Sequence, residues 1–364
     1  MYKLFPLLCF VFLLTKSADS QNSDSTKTNT LEQQFSDSIT QINEQNDNLR
    51  RSRNAYNEGL FLLENKKYAE AILYFNEAII IDSIFFEAYY SRAKCYEDLD
   101  YILAIADYLK TFELDSTNLL PLYAIASLSF KTNKYLAVEM YETIYSLNVN
   151  EYKALSQLGI IAFTDARYED AVQLLSQSLL INTNSYTLND RASCYRKLDK
   201  LDLAISDYLA AIALNTNLAF IYSNLGSVYA KLGETVKAIS FYDLAISKDA
   251  NYALAYNNKA SVLLNENEIE KAKIEVDKAL FLDSKCSPAY NNLGVIKHRL
   301  KKYNEAILAF DNAINLDLNY AKAYLNRGIS KQMVRDEFGA CFDWNKAKEL
   351  GIKMAKKYLS NDCE

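Results

Sequence analysis

The chain of 364 residues contains one histidine, three prolines and eight glycines. A lone histidine, His298, cannot build a multi-histidine metal cluster, and no Ser/His/Asp grouping is evident. No cysteine pair has zinc-finger spacing, and no glycine-rich loop follows a strand-like run, so metal and phosphate-loop chemistry lack a carrier. The scarcity of proline and glycine removes the usual helix breakers and favours an all-helical chain. The net charge of −6 comes without a basic block, which disfavours nucleic acid, because neutralising phosphates takes a Lys/Arg surface. The apolar run Leu4–Leu14 falls well short of the ~20 residues that span a bilayer. No catalytic residue, metal ligand or cofactor is expected.

What the chain has instead is a period. Ala71, Ala104, Ala137, Ala171, Ala204, Ala238, Ala272, Ala306 and Ala340 follow one another every 33 or 34 residues. Such regularity marks one supersecondary unit copied many times. Eleven or twelve positions before each alanine sits another small residue: Gly59, Ala93, Ala126, Gly159, Ala192, Gly226, Ala260, Gly294 or Gly328. Four positions after each alanine comes a larger residue, among them Phe75, Tyr108, Leu175, Tyr242, Phe310 and Trp344. Offsets of three, four and seven share one helix face. A small residue opposite a large one suits two helices whose axes lie roughly 8–10 Å apart. Each unit therefore reads as a helix pair joined by a short turn, such as Lys231-Leu232-Gly233-Glu234. An Asp or Asn recurs after the second helix, at Asp82, Asp115, Asn148, Asn182, Asn215, Asp249, Asp283 and Asp317, where it can satisfy orphan backbone groups.

These residues resemble the tetratricopeptide repeat (TPR) family, with nine repeats over residues 52–350. Ala289-Tyr-Asn-Asn-Leu-Gly294 and Tyr303-Asn-Glu-Ala-Ile-Leu-Ala-Phe-Asp-Asn-Ala313 match its pattern almost slot for slot. The first-helix Trp and the boundary proline of the family are absent. Repeats two and three are one residue short in the inter-helix turn, and repeat four at its exit. The resemblance implies an all-α helix-turn-helix solenoid, a right-handed superhelix, closed by a C-terminal capping helix over residues 351–364.

The N-terminus reads as an export signal over residues 1–20. Lys3 is followed by the apolar run and by the small-x-small site Ala18-Asp19-Ser20, which places the mature chain in the periplasm, the envelope or outside the cell. Residues 21–51 read as a polar, disordered leader in which Phe35, Ile39, Ile42 and Leu49 suggest a weak amphipathic helix. That helix either caps the first repeat or pairs with a partner or a second copy. Cys341 and Cys363 flank the turn at Gly351 at similar distances, so a helical hairpin brings them near one another. They form either a disulfide or two free thiols.

The TPR resemblance implies that the first helices line a concave groove, through the residues three before, one after and four after the small slot. Those slots carry Tyr56, Tyr90, Tyr123, Phe130 and Phe163 in the early repeats, suited to anchoring hydrophobic side chains or simply to packing. Later repeats carry Asn257 and Asn291 there, with Ser227, Ser261 and His298. One slot further on, Asn224, Asn258, Asn292 and Asn326 resemble an asparagine ladder that bonds an extended peptide; the alternative is an ordinary helix-neighbour role. The functional expectation is a non-catalytic scaffold that binds a peptide or protein partner in the cell envelope. The alternatives are a self-associating structural protein or an accessory subunit of an envelope enzyme complex.

Overall fold

The small-against-large register closes every helix pair that contains a glycine at the small slot. A Cβ added at Gly59 would stand 2.6 Å from the Phe75 ring, at Gly294 2.5 Å from Phe310, and at Gly328 2.5 Å from Trp344. Those separations lie far inside carbon–carbon contact distance. The anchor alanines complete the seam: Ala71, Ala104, Ala171, Ala204, Ala238, Ala272 and Ala306 are fully buried.

The computed structural model describes residues 25–363, which hold nineteen α-helices and no strand. The expected export signal lies outside the described residues. Among them, no helix is long and apolar enough to cross a membrane. The chain divides into two units at residue 140.

The first unit holds α1 (Ser25–Glu64), α2 (Tyr68–Ile81), α3 (Phe86–Tyr96), α4 (Tyr101–Leu114), α5 (Leu120–Ser129) and the start of α6 (Lys134–Leu147). Its first helix corrects the expected leader. Ser25–Glu64 is one unbroken helix of 40 residues, not a disordered segment followed by a repeat. No glycine or proline interrupts it before Gly59, and its packed C-terminal part can nucleate a helix that propagates outward. Residues 32–51 are exposed throughout, so they do not cap the first repeat.

The second unit continues with α7 (Tyr152–Thr164), α8 (Tyr168–Ile181), α9 (Ser185–Lys197), α10 (Leu201–Leu214), α11 (Ala219–Lys231), α12 (Thr235–Lys248) and α13 (Ala253–Asn265). It ends with α14 (Ile269–Leu282), α15 (Ser287–Arg299), α16 (Tyr303–Leu316), α17 (Ala321–Met333), α18 (Glu337–Glu349) and α19 (Ala355–Asp362). Against the last repeat, Tyr358 of α19 stacks on Trp344 at 5.0 Å, and Ala355 is fully buried. Cys341 and Cys363 are joined by a disulfide, with Cα atoms 5.7 Å apart.

Turn length follows a physical rule. In seven repeats the residue seven after the small slot adopts a left-handed φ, from Ala166 at 58° to Gly233 at 77°. The next N–H then reaches back five residues, as in Lys67 to the Leu62 carbonyl and Glu234 to Tyr229, which closes the helix end as a Schellman motif. Repeats two and three lack that residue. There, Asp100 accepts from the N–H of Ile102 and Leu103, and Asn133 from the N–H of Leu136, so a side chain does the capping. The recurring Asp/Asn after the second helix plays a related part: Asp82, Asp115, Asn148, Asn215, Asp249, Asp283 and Asp317 each accept from the N–H two residues on. These Asx turns do without the family's proline. Repeat four, one residue short at its exit, uses Asn184 to cap α9 instead.

Candidate functional site

The first helices carry the residues of interest, and a clamp at their backs holds them in place. The residue just before the small slot is basic in four repeats and grips its own second helix and the preceding one. Arg92 makes a two-pronged bond to Asp107 at 2.7 Å and reaches Asn76. Arg191 does the same with Asp207 and Ser176. Lys259 bridges Glu275 and Asp243, and Arg327 holds Asp343 and Asp311. Bidentate contacts of this kind fix orientation as well as supply energy. Sequence reasoning missed the clamp, yet its signal was present. Where the slot is basic, the third residue after the anchor alanine is acidic; where the slot is Ile125, Leu158, Leu225 or Leu293, that residue is Met140, Leu174, Phe241 or Ala309.

In the first unit the slot three before the small residue is a tyrosine in each repeat. Tyr56 lies 4.8 Å from the Phe85 ring and 5.8 Å from Phe75. Tyr90 meets Tyr108 edge-on at 5.3 Å, with the Lys94 ammonium 4.9 Å above its ring. Burial, and then the charge of Glu97, raise the Tyr90 phenol above its usual range, so it stays a neutral donor. The Tyr108 hydroxyl donates to Glu97. Tyr56, Tyr90, Tyr123 and Phe130 are all half-buried, each on a first helix or at its end.

In the second unit Phe163 meets Tyr168 edge-on at 5.4 Å. The asparagines there are turned toward one another. Asn224 donates to the Asn189 side-chain oxygen at 2.9 Å, Asn292 to Asn257 at 2.8 Å, Asn326 to Asn291 at 3.0 Å, and Asn258 to Ser223 at 3.3 Å. Each bond joins a first helix to its predecessor, 35 residues earlier. These amide donors are therefore engaged within the protein, and sequence alone could not show their direction. His298 likewise bonds Ser330 of the next first helix at 2.9 Å, and burial, followed by Arg299, lowers its pKa.

The repeat-five counterpart of these asparagines is Asp190. Burial pushes its carboxyl up to about 6, opposed by the hydrogen bond from Asn189. Among the described residues, no group of three His, Cys, Asp or Glu side chains could hold a metal ion.

A stack of helix pairs with clamped first helices is a helical-repeat module of the kind that mediates protein interaction. Family models described as TPR repeat or tetratricopeptide repeat match residues 193–233, 221–251, 253–286 and 287–320. Residues 193–320 are therefore tetratricopeptide repeats. No curated protein matches its sequence. Among solved structures, it resembles the APC/C hetero-tetramer Cut9-Hcn1 at 16% identity and TM-score 0.59, over 85% of this chain and 76% of that one. It also resembles a tetratricopeptide repeat protein from Parabacteroides merdae at 18% identity and TM-score 0.56, over 66% of this chain and 97% of that one. At such identities the likeness shows the fold alone.

Proposed function

We propose that this chain is an exported, non-catalytic scaffold of the cell envelope that seats a peptide or protein segment on the first-helix row of its N-terminal unit. The observation that carries the reading is the contrast within one slot. The second unit's Asn224, Asn292 and Asn326 are bonded to neighbouring repeats at 2.8–3.0 Å, whereas Tyr56, Tyr90 and Tyr123 keep partly exposed rings on successive first helices, with a long bond of 3.4 Å from Ser91 to Tyr56. Rings with a polar tip are efficient anchors because they bury large area with few rotatable bonds. The second unit's Asn257, Asn258, Asn291, Asn292 and Asn326 then serve chiefly to align repeats. Support for export is the residue pattern Lys3, Leu4–Leu14 and Ala18-Asp19-Ser20.

Alanine at Tyr56, Tyr90 and Tyr123 together should abolish capture of the native partner from an envelope extract. Because Tyr56 also packs on Phe75 and Phe85, the single variant Tyr90→Ala serves as the milder test. Full capture by Tyr90→Ala and by the triple variant, with helical circular dichroism unchanged, would remove the site from this face.

A further inference from the structure

The exposed half of α1 carries an apolar stripe that the fold does not use. Phe35, Ile39, Ile42 and Leu49 are 51%, 43%, 48% and 42% exposed. Their spacing of four, three and seven fits the a and d slots of a heptad, with Phe35, Ile42 and Leu49 at d and Ile39 at a. The remaining a slot between Ile42 and Leu49 is Asn46, also exposed. Between Phe35 and Leu49 the flanking e and g slots hold Ser36, Ser38, Asn43 and Gln45, with Arg50 and Ser52 just beyond, so two identical helices oppose no like charges there; the a slot one heptad before Ile39 is Glu32, which ends the apolar seam. Asp37, Glu44, Asp47 and Arg51 fall on the outer slots.

We infer that α1 pairs in parallel with α1 of a second copy of this chain, forming a short two-stranded coiled coil over residues 35–51. Three observations select this occupant. A single polar Asn at an a slot, facing its own equivalent, specifies two parallel strands in register. The stripe also has the right direction. At 3.6 residues per turn it centres roughly 90° around the helix from Ser52, whose hydroxyl bonds the Ala78 carbonyl at 3.0 Å, so a second helix need not displace α2. Asn57 lies on the same side and occupies the slot from which Ser91, Asn224, Asn258, Asn292 and Asn326 reach the preceding first helix. Among the described residues, no first helix precedes α1.

First helices in this chain also run parallel to their predecessors. Asn224 and Lys231 of α11 meet Asn189 and the Arg196 carbonyl of α9 at the same offset of 35 residues. A second α1 would repeat that relation at the open end. The segment needs such support: residues 32–51 are rich in Ser, Asn, Thr and Gln, and an isolated helix of about 20 such residues is marginal in water.

Sedimentation of the intact chain should give twice the chain mass, and Ile39→Glu with Ile42→Glu should halve it while leaving the repeats folded by circular dichroism. Parallel pairing sets the two Asn46 Cα atoms about 6 Å apart, within disulfide reach. Asn46→Cys should therefore cross-link two chains on oxidation, whereas Glu44→Cys, on an outer slot, should cross-link at least tenfold less. Among the described residues the other free cysteines, Cys95, Cys194 and Cys286, are buried and do not compete; the cross-linking variants also carry Cys9→Ser. A monomer at every concentration overturns the inference. So does a dimer that survives the double Glu variant, or one cross-linked between Phe35→Cys and Leu49→Cys rather than at position 46, which is the antiparallel signature.

Discussion

The two units use one backbone slot for two chemistries. Three before the small residue, the first unit places Tyr56, Tyr90 and Tyr123, while the second places Asn189, Ser223, Asn257 and Asn291 between its first repeat and its last, where Leu325 stands. The asparagines accept bonds from the following first helix and become part of the inter-repeat seam. The corresponding bond in the first unit, from Ser91 to the Tyr56 hydroxyl, is a long 3.4 Å. What holds a pair of repeats together in one unit is thus left largely to ring packing in the other.

The clamp is common to both units, and its removal has the largest expected effect. Asp107→Ala and Asp207→Ala should each cost about 3–5 kcal/mol in chemical denaturation, because each strands a partly buried arginine. Unequal costs would mean that the two units differ in more than their first-helix rows. Adding Arg191→Leu to Asp207→Phe, the pair found at Leu225 and Phe241, should recover most of the loss. Next in size is the seam itself. Asn292→Ala should destabilise by about 1–2 kcal/mol, since it leaves the buried Asn257 oxygen without its donor. Ser91→Ala should cost well under that. Equal costs would erase the contrast drawn between the units.

A further effect is a change of pH slope. Burial makes the Asp190 carboxyl titrate higher in the folded chain, at about 6, than an ordinary aspartate at about 4. The folded state therefore holds the proton more tightly, and the stabilisation is complete below about pH 4 and lost as the pH rises through about 6. Asp190→Asn, which places at that position the amide that later repeats use, should flatten this slope and raise stability at neutral pH. A slope unchanged by the substitution would show that Asp190 titrates as it does in the unfolded chain.

Much of this was legible in the residues. Small opposite large, repeated at helical offsets, is a local packing requirement, and Gly294 against Phe310 could be read from spacing alone. The length of each inter-helix turn was legible too, although which residue takes a left-handed φ and which side chain replaces it were not. The direction of Asn292 could not be read, because its acceptor lies 35 residues earlier on another helix. The Arg–Asp clamp escaped for a similar reason: it occurs in only some repeats, and apolar pairs replace it in others. The extent of α1 escaped because a polar composition, read alone, hides the nucleating effect of the packed half on the free half.

The central claim is that a partner lies on the tyrosine row and not on the asparagine row. Lys94 and Ser261 are exposed and occupy the same slot, one after the small residue, in the first and second units. A photo-reactive amino acid placed at each, followed by irradiation in envelope extract, compares the two rows directly. The account predicts a cross-linked partner from position 94 and none from 261. Cross-linking from 261 with none from 94 would contradict it.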